Sequence, residues 1–383
     1  GLTGNFDRSG SSTPLLTVRR LFNSAIGAYY ARVSNAPNPK LRWEKTRDVK
    51  VALDFGLWKD RINGIVEAYW RKSKDCVTSE YVPVTTGFFN QSYNTSVLQN
   101  NGVEFSLSVA VLKSKDYNLS VSANVAWNQN KLKKYNSPNT SLALDKYVGY
   151  PMGAVFSGKY EGIDPETGMY KFKLRPDAVT NKDGYLREPN NYYYYLGTSV
   201  APFTGGFNLN FSYKNIGLSV GGSYSVKAKM VDNIESPAGY ELLSGSKLES
   251  IPTPHNDLYR NHLNVKREVR NRWTPENRTG VKYPRLIDAY GKKLGLDLTN
   301  PTLTTITRGA LLEDISYLRI NTIALSYSLP QRVLERINFS SAALNLTLNN
   351  FFTITKYSGI DPEVPGATYP VSRSVTIGLN VGF

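Results

Sequence analysis

Residues 373–383 read RSVTIGLNVGF, and the alternation in this stretch sets the architecture. Val375, Ile377, Leu379, Val381 and Phe383 fall on one side of an extended chain. Ser374, Thr376, Gly378, Asn380 and Gly382 fall on the other. Successive side chains of a strand point to opposite faces, so this is a two-faced strand with one apolar wall. A chain that stops within such a strand, on an exposed aromatic, leaves a sticky edge. Closing a sheet into a barrel removes that edge. A last strand that zips to the first, ending in Phe, is what the assembly of a bacterial outer-membrane barrel calls for. These five apolar residues are therefore the expected assembly and closure strand. The alternative is a buried last strand of a soluble sandwich.

The same period recurs upstream. Val49 to Leu57, Val103 to Val111, Leu119 to Trp127, Phe207 to Tyr213, Leu218 to Val226, Ile323 to Leu329 and Leu344 to Leu348 all alternate apolar with polar or small residues. Alternation over such windows marks half-buried strands. The off-face residues are mainly Ser, Asn, Gly and Thr, where soluble outer faces carry more Lys and Glu. That bias tips the reading toward a wet lumen.

The connectors are unequal. Trp58-Lys59-Asp60-Arg61, Lys113-Ser114-Lys115-Asp116 and Lys214-Asn215-Ile216-Gly217 are tight turns between strand-like runs. Residues 75–98, 131–202 and 228–310 are long polar stretches, expected as connectors. Short turns on the periplasmic side and long loops outside are the outer-membrane pattern. The expected fold is all-β: about ten to twelve antiparallel transmembrane strands with long extracellular loops. The run Tyr192, Tyr193, Tyr194 and Tyr195 has two uses open to it, stacking on sugar rings or packing one loop on another. Packing is the favoured reading, and the four remain the candidate substrate or lid contacts. Gly162 to Gly168 reads as an acidic turn rather than a Ca²⁺ loop, because the EF-hand spacing is missing. Asn181-Lys182-Asp183-Gly184 reads as a type I′ turn.

Composition narrows the function. No window approaches the ~18 consecutive apolar residues of a membrane helix, which leaves β-strands as the only way across. The 26 tyrosines suit interfacial girdles, or the faces of a Tyr-rich sandwich. One cysteine, Cys76, precludes an internal disulfide and a Cys-based metal site. His255 and His262, seven apart in a polar stretch, read as solvated side chains. Gly217-Leu218-Ser219-Val220-Gly221 has the letters of a nucleophile elbow, but a strand-like run follows it where that motif needs a helix. No catalytic residue, cofactor site or metal site is assigned, and an enzyme is not expected. The formal net charge is +15. It is scattered through stretches such as 131–134 and 266–272 rather than gathered in one stripe. Lipid phosphates or an acidic partner explain it better than nucleic acid.

Several strings, taken in order, resemble the SusC/RagA family of TonB-dependent outer-membrane transporters of Bacteroidetes. Residues 1–5, GLTGN, resemble its "GxTGN". Asn38 to Thr46 with Leu53 to Leu57 resemble "NPxLxWEKT…LDFGL". Arg272 to Asn277, with Tyr283 to Leu286, resemble "RWTPEN…PRL". Ile315 to Arg319 resemble the start of "xxFLRLKN", with Tyr in place of Phe. Leu344 to Asp361, followed by Pro362-Glu363-Val364, resemble "VYxSGQNLFTxTKYSGxD" and its "DPEV". The resemblance implies that residues 1–383 are the C-terminal half of a plugged barrel of the ~22-stranded class. Signal peptide, TonB-contacting segment and plug would then lie upstream. It also implies a SusD-like lipoprotein lid, TonB as the source of work, and glycan or peptide oligomers as substrate. A receptor or adhesin barrel that binds without transport, and a soluble carbohydrate-binding β protein, are the competing classes. The latter would fold without detergent, whereas a barrel would aggregate there.

Overall fold

The computed structural model describes residues 2–5, 17–23, 27–88, 90–135, 147–166, 168, 170–177, 192–231, 270–281, 283, 308–365 and 369–383. Asn181 to Gly184, His255, His262 and Pro284 to Leu286 lie outside the described residues. The chain is all-β. In order, the strands are β1 (Leu2–Asn5), β2 (Thr17–Asn23), β3 (Ala28–Asn35), β4 (Glu44–Leu57), β5 (Ile62–Tyr81) and β6 (Asn90–Lys113). Next come β7 (Tyr117–Tyr135), β8 (Ala154–Gly158), β9 (Tyr160–Ile163), β10 (Tyr170–Phe172), β11 (Tyr193–Thr198) and β12 (Phe203–Tyr213). The last are β13 (Ile216–Val226), β14 (Lys229–Val231), β15 (Leu312–Asp314), β16 (Tyr317–Ser328), β17 (Ser341–Thr355) and β18 (Ser374–Gly382). One short helix, α1 (Gln331–Arg336), joins β16 to β17. No helix among the described residues is long and apolar enough to cross a membrane.

The chain divides into two compact units, residues 1–152 with 202–219, and residues 153–201 with 220–383. In the first, one antiparallel sheet runs β1-β4-β5-β6-β7-β12. In the second, β13, whose first residues belong to the first unit, is followed by β16, β17 and β18 in that order. These ten strands fall in the range the sequence predicts. The shorter strands pair off in twos: β2 with β3, β8 with β11, β9 with β10, and β14 with β15.

Cross-strand register turns the alternation into faces. In the first unit Val51, Ala68, Val103, Trp127 and Phe203 form one row across five strands. Phe55, Gly64, Leu107, Ala123 and Phe207 form another. In the second unit Tyr327, Leu344 and Leu379 align, as do Leu325, Leu346 and Ile377. These rows face out of the protein: Ile377 is 73% exposed and Leu379 67%. A continuous apolar band of this kind is the lipid face of a barrel. Glycines under rings let the faces sit close. A Cβ at Gly64 would lie 2.3 Å from the Phe55 ring, and one at Gly102 2.4 Å from the Tyr69 ring.

Three expectations need correction. Residues 75–98, taken as a connector, are mostly strand: β5 has 20 residues and β6 has 24. A spanning strand needs only about 9–11 residues, so both rise well past the bilayer. The polar composition of 75–98 misled because both faces there stand in water or against protein. Part of 131–202 is likewise strand, holding the end of β7 and β8 to β11. Leu329 and Phe383 lie one residue beyond β16 and β18. Phe383 is 92% exposed, with its ring against Phe339 at 5.2 Å, and the Gly382 carbonyl accepts from the Ser340 amide at 2.9 Å. The third tight turn is only Lys214-Asn215, because Ile216 and Gly217 open β13.

The face assignment of β18 is testable. Leu379→Arg is expected to cost about 2–4 kcal/mol if it lies near mid-bilayer, and to lower the folded, heat-modifiable fraction in outer membranes. Asn380→Arg, on the opposite face, is expected to assemble as the unaltered chain does. Equal loss from both would reverse the face assignment.

Candidate functional site

The face opposite the apolar rows is polar and finely bonded. In the first unit it carries Asp54, Asn63, Ser106, Ser122, Asn124 and Asn208, which with Gly56 and Gly206 of the same face line a cavity of about 630 Å³ that Phe55, Ile65, Leu107 and Ala123 also border. Small residues occupy it because each hydroxyl or amide must find a partner without filling the space. The Asn124 side-chain carbonyl accepts from the Gly206 amide at 2.8 Å, Asn130 donates to Asn100 at 2.7 Å, and Ser219 donates to Asn210 at 2.8 Å. Further along the strands the face becomes charged. Lys50 pairs with Glu67 at 2.8 Å, and Arg71 with Asp48 at 2.6 Å. Glu67 stands directly across from Glu104. The surface offers hydrogen bonds and charge of both signs, and its sequence signal was the Ser/Asn/Gly bias.

The tyrosine run lies in the second unit. Tyr193, Tyr194 and Tyr195 are in β11, opposite Gly158, Ser157 and Phe156 of β8, and Tyr192 precedes the strand. The Tyr194 hydroxyl donates to the Leu174 carbonyl at 2.9 Å. The Tyr195 ring is 5.7 Å from that of Phe156 and still partly exposed. Sequence reasoning placed these residues in a loop. The structure makes three of them strand, with the Tyr194 hydroxyl and the Tyr195 ring engaged by the protein.

The acidic turn at 162–168 is closed from within. The Asp164 carboxylate accepts from the Glu166 amide at 2.8 Å, and its carbonyl from Gly168 at 2.8 Å. Trp273, of the quoted RWTPEN string, lays its indole N–H on the Pro165 carbonyl at 2.9 Å. No group of three or more His, Cys, Asp or Glu that could hold a metal occurs among the described residues.

Sequence reasoning missed one cluster, although it quoted both halves of it. Arg319 of β16 is 2% exposed and Asp361, past β17, is 5% exposed. The guanidinium meets Asp361 at 2.5 Å and Glu363 at 3.0 Å, and its carbon sits 5.8 Å from the centre of the Tyr317 ring. Asp361 also accepts from the amides of Glu363 (2.9 Å) and Val371 (3.1 Å). The segment after β17 is thus tied to the wall by one buried charge pair. The separation of 42 positions between the partners left no spacing signal in the sequence. Burial works to raise the Asp361 pKa, but the amides of Glu363 and Val371 and the Arg319 guanidinium outweigh it and hold the carboxyl below its ordinary value.

A lowered folded pKa means that the tether is at full strength above the ordinary carboxylate value, about 3.9, and weakens as pH falls below it. Asp361→Ala leaves the buried Arg319 with only the half-exposed Glu363 as counter-charge, and breaking a buried pair in this way typically costs about 3–5 kcal/mol. Amide exchange at Glu363 and Val371 should therefore quicken by about two orders of magnitude or more. Arg319→Met with Asp361→Leu should recover most of that protection. Unchanged exchange in Asp361→Ala would remove the cluster from its tethering role.

No protein-family model matches the chain. A TonB-dependent receptor of Formosa agariphila is 25% identical over 90% of this chain and 35% of its own length. TonB-dependent receptor SusC of Bacteroides thetaiotaomicron is 25% identical over 100% of this chain and 37% of its own. Among solved structures, the RagAB peptide transporter is 26% identical with a TM-score of 0.75, covering 100% of this chain and 40% of that one. The chain thus spans between a third and two-fifths of the length of the relatives it matches. That likeness runs end to end along these strands: the chain has the strand architecture of an outer-membrane β-barrel and is similar, over its whole length, to part of the SusC/RagA type of TonB-dependent transporter.

Proposed function

We propose that this chain is the C-terminal half of a plugged barrel that imports nutrient oligomers, glycan or peptide, across the outer membrane. The observation that carries this reading is the division of each long strand into an apolar face and a small, hydrogen-bonding face with charges of both signs. A face of that kind suits a wet passage for polar oligomers and needs no covalent chemistry. Its relatives named SusC and RagAB support the same reading, one as a TonB-dependent receptor and one as a peptide transporter. In this reading a TonB-contacting segment and a plug belong to the rest of the protein, TonB supplies the work, and a SusD-like lipoprotein closes the passage from outside. The height of β5 to β7 above the bilayer gives such a lid a rim to rest on. Tyr192 to Tyr195 are candidates for touching lid or cargo, Tyr195 first because its ring is the most exposed of the run.

The test uses intact cells. Deleting the gene should abolish uptake of one class of fluorescent oligomer, peptide or glycan, and a protonophore should do the same to unaltered cells. Uptake that persists in both would leave a receptor or adhesin that binds without import.

A further inference from the structure

On β4 to β7 charge is sorted by face and by end. Up to the register break after Ser73, every carboxylate of these strands, Glu44, Asp48, Asp54, Glu67 and Glu104, falls on the polar face. The apolar face carries no acid at all. At the end away from the tight turns, that face passes from its apolar rows through Val49 and Trp70 into cations. Arg47, Lys72 and Lys131 lie in one row, broken only by Gln99 of β6. One row further on, Lys45 stands opposite Lys74, and Lys134 faces Val97. Among the described residues none of the six makes an ion pair. The acid beside them, Asp75, is engaged by Arg42 at 3.0 Å.

From Val49 to Leu57 the apolar rows climb about 27 Å along the strand, or about 20 Å along the membrane normal at an ordinary barrel tilt. The cationic rows begin one step above. That is the level of the outer-leaflet headgroups, with Trp70 and Trp127 marking the interface below them. An unrelieved set of cations on a lipid-facing surface would repel itself in isolation. Its placement is explained if anions of the membrane lie against it.

We propose that Lys45, Arg47, Lys72, Lys74, Lys131 and Lys134 form a binding site for the phosphates of lipopolysaccharide in the outer leaflet. The site depends on the outer-membrane reading of strand polarity and is independent of what the barrel carries. Lysine and arginine side chains lie along the apolar rim with their heads at phosphate level. The guanidinium of Arg47 supplies the fork that takes two phosphate oxygens. Six cations on three strands, β4, β5 and β7, would hold several glycolipids as a collar, and the hold would weaken as salt rises.

The experiment uses the full-length protein, extracted from outer membranes in mild detergent and examined by native mass spectrometry. Phosphorylated lipid A should be retained, and chemically dephosphorylated lipid A should bind at least tenfold less. The combined variant Arg47→Gln, Lys72→Gln, Lys74→Gln and Lys131→Gln should retain at least tenfold less phosphorylated lipid A. Lys59→Gln with Lys115→Gln, at the tight-turn end, should retain as much as the unaltered protein. Heat-modifiable migration reports that each variant is folded. Should the combined variant not assemble, Lys72→Gln and Lys131→Gln singly should each lower retention. Equal retention by folded variants, equal binding of dephosphorylated lipid A, or equal displacement by phosphatidylglycerol would overturn the proposal. Oligomer uptake in the same variants is expected to persist, so loss of the lipid contact and failure of the import reading appear in separate assays.

Discussion

Backbone pairing in hydrocarbon is the constraint on which this structure depends. A peptide N–H or C=O facing lipid has no water to turn to, and leaving one unpaired costs several kcal/mol. The long antiparallel ladders of β4 with β5, β5 with β6 and β6 with β7 answer that demand. Once the ladders fix the register, the period of two assigns every side chain to lipid or to the polar side. A slip by one residue would send Asp48, Glu67 and Glu104 into the membrane and Val49, Val66 and Phe105 into water. The sorting of acids and cations by face is thus a result of register, and a guard upon it.

The register breaks are placed where that penalty is absent. β5 and β6 keep a regular pairing from Ile62 to Ser73 and break only at Cys76 and Val77. β6 and β7 break between Val97 and Leu98, and again near the turn between Ala110 and Leu112. Within the span the ladder runs unbroken. Beyond it, irregularity is affordable, and Asp75 takes a positive φ of 57° there.

Much of this was legible in the sequence wherever lipid writes on one face. The alternating windows at 49–57, 103–111 and 119–127 lie in strands, as does 375–383 up to Gly382, because one row of each must be apolar. The continuation of β5 and β6 through 75–98 was illegible for the converse reason: with no lipid against it, a strand need not alternate. The polar wall was foreshadowed by its Ser, Asn and Gly bias. The Arg319–Asp361 pair was not, since an ion pair closed across 42 residues leaves no local pattern. Its two members appeared only as parts of separately familiar strings. Tyr193 to Tyr195 looked like loop because a run of one aromatic has no period, and pairing with β8 gave it one.

β7 and β12 are neighbours from Trp127 and Phe203 down to Tyr117 and Tyr213, although the chain leaves at Tyr135 and returns only at Phe203. Bringing the ends of such an excursion together costs entropy that grows only with the logarithm of its length. Doubling it adds roughly 0.6 kcal/mol. Much of the excursion pairs within itself, β8 with β11 and β9 with β10, and among the described residues it ties back to the extended end of β7 where Gly149, Tyr150 and Met152 bond to Leu132 and Asn130. Sequence drift, insertion and deletion can therefore accumulate above the membrane at almost no thermodynamic cost, while a single-residue insertion between Tyr117 and Trp127 would shift a whole face. Barrels of this kind can diversify rapidly in what they meet outside and hardly at all in how they stand.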